Sequence, residues 1–309
     1  MAKTLIFIHG RSWKPPKNAL QKLWFDAVEY GLKRDHADVL GRFKAVKKSF
    51  VYFGDLSNDF LHEKTGDPIP DDTASRQATL EALKKWKPNQ FTKRNYNNLP
   101  GKESLKEGIA DTLGPILRFF RLSDDLVSVV APDMGEYWKG EDSFFGSAVR
   151  EPLVKPLKDA FDRDDSVCII AHSLGSMISY DTLWKFSYRG EYRPDYNKKK
   201  VDLFITLGSP LGDATVQAGL FGSKASGARR FPANIRKWVN VAAEDDFISH
   251  DSKIAGDYKD MKRHKLIEDI VDQHIYNLAL RDGKSNPHHS CGYLIHPKVS
   301  TLIADWLKT

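Results

Sequence analysis

Only two cysteines occur in 309 residues, so no disulfide framework holds this chain together. Cys168 lies in an apolar run and Cys291 near the C-terminus. Both read as small apolar fillers of a protein kept in a reducing compartment. Long hydrophobic runs are missing too. The best stretch, Leu113 to Phe120, is short and carries Arg118, so no membrane span is expected. The first ten residues, MAKTLIFIHG, hold one lysine and too short an apolar run for a signal peptide. The expectation is a soluble cytoplasmic protein. No strand is followed by G-x-G-x-x-G or G-x-x-x-x-G-K-[ST], which removes the common phosphate-cradling loops. Zinc-finger spacing, an RNA-binding aromatic signature and a long basic helix are also absent, so no nucleic-acid partner is expected. The net charge of +6 is modest. Its densest clusters, Lys198-Lys199-Lys200 and Arg229-Arg230, read as solvated loop charge, with contact to an anionic membrane surface as the alternative.

What is present is globular. Hydrophobic residues make up 41% and charged residues 28% of the chain, enough to bury one large core. Short apolar runs alternate with helical patterns. Thr4 to Ile8, Ser49 to Phe53, Val167 to Ile170, Val201 to Leu207, Ile235 to Ala242 and Val271 to Leu278 read as strands. Runs that are apolar throughout, such as Val167 to Ile170, fit strands covered on both faces. Between them, helices are expected from Asn18 (as N-cap) through Leu32, over Ala74 to Trp86, Ser104 to Phe120, Val149 to Phe161 and Pro297 to Leu307. Val299, Leu302, Ile303 and Trp306 mark the buried face of the last. Pro152 and Pro156 weaken the first half of the fourth. Leu126 to Ala131 reads as a short extended piece, Asp133 to Tyr137 as a turn, and Tyr188 to Lys200, Gly212 to Pro232 and Lys253 to Leu266 as irregular. The pattern predicts an α/β protein with a mostly parallel sheet flanked by helices, a single domain over 1–309. Residues 55–125 carry no strand signal and read as a helical insertion within it, a cap or lid over the sheet's carboxyl end.

The chemistry concentrates at Ser166 to Trp184. A buried strand runs into Ala171-His172-Ser173-Leu174-Gly175, and Met177, Tyr180, Asp181 and Trp184 follow at helical spacing. Strand, sharp turn and amphipathic helix with serine at the apex form the nucleophile-elbow pattern. So tight a turn tolerates only Gly or Ala two residues either side of the serine, here Ala171 and Gly175. The first strand ends in His9-Gly10-Arg11, where a glycine turn can aim the N–H of Gly10 or Arg11 at a substrate oxygen. A serine hydroxyl needs a neutral imidazole to take its proton and a carboxylate to orient that imidazole. Asp245 and Asp246 follow a later strand, and His288 and His289 follow the last. Nucleophile, acid and histidine thus occur in order, each after a strand.

These pieces resemble the α/β-hydrolase superfamily, and within it the lipase-like serine esterases. The resemblance rests on FIHG, AHSLGSMISYDTLW, ITLGSPLG, WVNVAAEDDFIS and NPHHSCGYLIHPKVSTLIADWL. It covers both ends of the chain and leaves 55–125 unmatched. It implies Ser173 as nucleophile, Asp246 as acid with Asp245 in reserve, and His288 as base with His289 in reserve. It implies the Leu174 N–H and the Gly10–Arg11 region as oxyanion donors, with neither metal nor cofactor required. The chain departs from the pattern at Ala243 and Phe247, where relatives often carry Asp and Pro. The implied activity is cleavage of small-molecule or lipid-type carboxylic esters through an acyl-enzyme. Amide or thioester cleavage, or a non-catalytic interaction module on the same fold, are the alternatives.

Overall fold

The computed structural model describes residues 2–101, 132–139, 143–249 and 251–309. The helix expected over Ser104 to Phe120 and the extended piece expected over Leu126 to Ala131 lie outside them.

Six strands form one sheet in which every pairing is parallel: β1 (Lys3–Ile8), β2 (Lys47–Val51), β3 (Ser166–His172), β4 (Val201–Leu207), β5 (Ile235–Ala243) and β6 (Asp269–Ile275). Their order is β2-β1-β3-β4-β5-β6. The side-chain alternation of a strand divides the core in two. Leu5, Phe7, Cys168 and Ile170 face one layer, and Ile6, Ile8, Ile169 and Ala171 face the other. On the first face pack α1 (Lys17–Asp35), α3 (Thr73–Lys84), α7 (Ser290–Leu294) and α8 (Pro297–Lys308). On the second lie α4 (Pro132–Trp138), α5 (Phe144–Asp162) and α6 (Leu174–Tyr188), with α2 (Gly54–Thr65) against α4 and α5. The result is a three-layer α/β protein. Between β1 and β3 the strand order reverses. In open parallel sheets the crevice outside the strand ends at such a reversal is where ligands bind. Gly10 follows β1 and Ser173 follows β3 at this point.

Several elements differ from the sequence reading for local physical reasons. Helix α1 starts one residue before Asn18, which is therefore not its cap. Pro16 holds the N-cap position, no side chain caps it, and its carbonyl accepts the Leu20 N–H. The second strand sits two residues earlier than expected, because Gly54 already begins α2. Asp133 to Tyr137 is helix α4 and not a turn. It is fixed by long-range bonds, Asp133 to Arg11 and the Tyr137 hydroxyl to Asp181, which no local pattern reveals. Helix α5 begins at Phe144 and keeps both prolines inside it. Each proline costs about 3 kcal/mol in a helix interior. Burial of Val149, Leu153, Leu157 and Phe161 at about 1.5–3 kcal/mol each offsets that. Ser143 caps its start by accepting the Gly146 N–H. Helix α6 is not amphipathic: it is buried nearly all round, and Trp184 is one of its few half-exposed residues. The stretch 253–266 is not irregular. Two short helices there, Ile254–Asp257 and Lys259–Arg263, bury Ile254, Tyr258 and Met261. Short helices also occupy parts of the other two expected loops, at Arg193–Tyr196 and Ala214–Gly219. The last strand ends at Ile275, before Asn277 turns the chain. A small hairpin, β7 (Leu280–Arg281) and β8 (Lys284–Ser285), follows it. In α8, Leu302 is only half-buried.

The central strand β3 is the keystone of both layers. Ile169 is wholly buried. Ile169→Ala should lower the unfolding free energy by about 2–5 kcal/mol in urea titrations.

Candidate functional site

Ser173 stands between β3 and α6 with φ 54° and ψ −127°, a conformation costly for a residue with a Cβ. Its surroundings hold it there. The Ser173 N–H donates to the Leu207 carbonyl at 3.0 Å. The Ser173 carbonyl accepts from the Ser176 hydroxyl, which also bonds the Ser209 hydroxyl at 2.7 Å. The tightness expected around the elbow is present in numbers. A Cβ on Gly175 would come within 2.4 Å of the His9 carbonyl oxygen and 2.9 Å of that of Ile8. A Cβ on Gly10 would meet the Ser173 Cβ at 2.7 Å. The end of β1 therefore lies directly on the elbow. Leu174 opens α6 with its side chain in the core. As the first residue of a helix its N–H has no intrahelical acceptor.

The loop after β1 is clamped from three sides. His9 is buried; its Nε2 accepts the Phe53 N–H at 3.1 Å, so Nδ1–H donates to the Gly10 carbonyl at 2.8 Å. Burial and then the Lys14 charge hold His9 well below the usual histidine range. Arg11 bonds Asp133 through Nε at 3.0 Å and Nη2 at 2.7 Å, and the other Asp133 oxygen accepts the Ser12 N–H at 3.2 Å. Burial raises the Asp133 carboxyl, but the Arg11 charge and its hydrogen bonds outweigh it and leave Asp133 below its ordinary value. Asn58 on α2 pairs with both backbone groups of Lys14, at 2.9 and 2.8 Å. The Lys14 ammonium turns back onto the carbonyls of Arg11, Ser12 and Trp13.

At the far side, Asp246 and His288 meet. His288 Nδ1 lies 3.0 and 2.9 Å from the two Asp246 oxygens. The Asp246 side chain is fully buried, whereas that of His288 is 31% exposed, so one imidazole edge stays open. The Tyr293 hydroxyl accepts the Ala243 N–H at 3.0 Å and donates to Asp246 Oδ2. Burial, then the Asp246 charge, keeps that phenol well above its ordinary value and protonated. Gly208, at the end of β4, has φ +53°, and a Cβ there would lie 2.8 Å from Asp246 Oδ2 and 3.1 Å from His288 Nδ1. Only glycine leaves room for this pair. The histidine loop is docked on its neighbours. His172 Nε2 donates to the His288 carbonyl at 2.9 Å, and Asn277 Nδ2 donates to the carbonyls of Pro287 and His289 at 2.7 and 3.1 Å.

The reserve residues do other work. Asp245, with φ 56°, accepts from the Tyr96 hydroxyl at 3.1 Å. His289 Nδ1 accepts the Cys291 N–H at 3.3 Å and caps α7. Burial, then the Arg76 and Arg281 charges, pushes His289 down to about 3. Gly10, Arg11, Ser173, Asp246 and His288 all line one cavity of about 400 Å³, together with Asp245 and His289. No family model matches the chain, and no curated protein and no solved structure matches it. Among the described residues no helix is long and apolar enough to cross a membrane, and no group of three or more His, Cys, Asp or Glu could hold a metal ion.

Sequence reasoning missed Asp133, Lys14, Asn58, Asn277 and Tyr293 as supports of the site. Only Tyr293 lay inside a quoted motif. Asn277 is wholly buried. Asn277→Ala should take the Asn277 partner from the Pro287 carbonyl and the Ala279 N–H, lower stability by about 2–3 kcal/mol in urea titrations and loosen the loop that carries His288.

Four buried histidines, His9, His172, His289 and His296, sit below their usual range because burial disfavours the charged ring. The unfolded chain therefore takes up these protons first. The neutral rings' contribution to stability is complete above pH ~6.5 and is lost as the pH falls toward the folded values. For His289 and His296 those values are about 3. Each histidine removes about 1.4 kcal/mol per pH unit in that window. The melting temperature should drop steeply from pH 7 to pH 5 at constant ionic strength; a flat profile would contradict the assignment.

Proposed function

We propose that this chain is a serine hydrolase of carboxylic esters with an α/β-hydrolase fold. One observation carries the reading: the buried Asp246 holds Nδ1 of a partly exposed His288, and that imidazole shares a cavity with Ser173, a strained serine at a strand-to-helix turn. Two residues brought from β5 and from the segment after β6 to a serine after β3 is the arrangement nucleophilic catalysis needs. A buried Asp–His pair alone is a common structural bond. Its opening onto a serine at positive φ makes the catalytic reading the stronger one.

In this reading Ser173 Oγ attacks the ester carbonyl carbon while His288 Nε2 takes its proton. The negative charge forming on the carbonyl oxygen is met by the Leu174 N–H and by an N–H of the Gly10–Arg11 loop. The carbon–oxygen bond to the alcohol then breaks, and His288 returns its proton to the departing alkoxide. Water attacks the acyl-enzyme with His288 again as base, releasing the acid and restoring Ser173. Asp246 stays ionised throughout. It fixes the tautomer with the proton on Nδ1 and stabilises the imidazolium. Tyr293 and the Ala243 N–H keep Asp246 and its surroundings in register.

The test is hydrolysis of p-nitrophenyl esters from acetate to palmitate. Ser173→Ala and His288→Ala should each lower kcat by about four orders of magnitude or more, and Asp246→Asn by about 10⁴-fold without unfolding the protein. A dead His289→Ala beside an active His288→Ala would overturn the base assignment. Equal turnover by Ser173→Ala and the parent protein would overturn the reading itself.

A further inference from the structure

The cavity has a wall that the hydrolytic steps do not use. Arg76 on α3, Arg281 on β7 and His289 before α7 line it. Arg76 lies on Asp72 Oδ2 through Nε at 2.7 Å and Nη2 at 2.6 Å. Arg281 Nη2 reaches the same oxygen at 3.0 Å. Two guanidinium charges thus share one carboxylate. Asp282 comes within 3.8 Å of Arg281 Nε, but its side chain is 76% exposed and screened by solvent. Lys14 also lines the cavity; burial, then the Arg76 charge, holds it well below the usual lysine range, and among the described residues its amino group is held by carbonyls with no carboxylate in ion-pair contact.

His289 supplies an independent sign. Its Nδ1 is an acceptor, so its proton is on Nε2. That Nε2 is buried and has no hydrogen-bond partner among the described residues, in a side chain only 5% exposed overall. An unpaired buried donor costs about 1–3 kcal/mol. His289 as a residue lines the cavity, beside two guanidiniums that dominate the charge acting on it. An acceptor with negative charge would suit the guanidiniums of this corner. Arginine presents planar forked donors suited to carboxylate or phosphate oxygens.

We propose that Arg76, Arg281 and His289 form an oxyanion-binding subsite, and that the ester cleaved at Ser173 carries a carboxylate or phosphate group that docks there. The substrate half rests on the serine-hydrolase reading; the subsite itself does not. The carbon chain of such an ester has apolar surface to lie on as well, from Leu20, Trp24, Phe247, Ile248 and Pro287.

The experiment compares the p-nitrophenyl monoester of adipate with p-nitrophenyl hexanoate, which has the same chain without the carboxylate. In parallel, Ser173→Ala protein is titrated calorimetrically with adipate and with inorganic phosphate. The parent protein should favour the anionic ester in kcat/KM by about tenfold or more, as expected for hydrogen bonds to a charged group. Arg281→Gln should bring that ratio toward one, and Arg281→Lys should recover part of it. Heat from adipate alone assigns the subsite to carboxylates; heat from phosphate alone assigns it to phosphates. If Arg281→Gln lowers the melting temperature and leaves the ratio unchanged, the arginines only staple α3 to the hairpin and the proposal fails. If neither ester is turned over, the titration decides. Binding that is weakened by adding Arg281→Gln upholds the subsite while the hydrolase reading falls. No binding of either anion, together with a ratio of one or below in the parent protein, overturns the subsite and leaves the hydrolase reading intact.

Discussion

The carboxyl end of β1 presses against the turn that leaves β3, and the rest of the site depends on that closeness. The His9 carbonyl occupies the space a side chain at position 175 would need, and Gly10 touches Ser173. Two glycines and a strained serine are the condition for putting a loop of backbone N–H groups beside a hydroxyl. Packing this tight is stable only if the loop cannot drift. His9, Asp133 and Asn58 fix it through the end of β2, α4 and α2. The strained conformation of Ser173 is thereby held by the ends of β1 and β4 as well as by the turn itself.

Burial then divides the histidines by role. His9, His172 and His289 are enclosed and neutral, and each serves as a fixed hydrogen-bonding part: a clamp on Gly10, a tie to the His288 loop, a cap on α7. His288 alone of the four histidines at the cavity keeps a substantially exposed edge while its other nitrogen faces a buried carboxylate. An imidazole that must cycle a proton needs both conditions. The cations around the cavity act in the same direction on the enclosed rings, keeping them uncharged.

Much of this was legible in the sequence. Strands covered on both faces announce themselves as apolar runs, and Val201–Leu207 matches the expectation residue for residue. The seven buried positions of α1 are those its helical spacing marks out. The elbow is legible because its steric demand leaves a trace in small residues. What stayed hidden depends on partners distant in the chain. Asp133 is an ordinary turn former until Arg11, 122 residues away, is seen to hold it. Arg76 and Arg281 are separated in sequence by strands β3 to β6 and meet through Asp72. His288 and His289 are adjacent in sequence, and only the fold distinguishes them: one ring reaches Asp246, the other a backbone N–H of α7.

The account turns on Ser173 being an activated nucleophile, and that is measurable without knowing the substrate. A fluorophosphonate probe phosphonylates a serine whose proton is taken by a neighbouring base. Mass spectrometry of the labelled protein should find the adduct on Ser173, and His288→Ala should slow its formation by orders of magnitude. An unlabelled protein, or equal labelling in the two, would contradict the central claim.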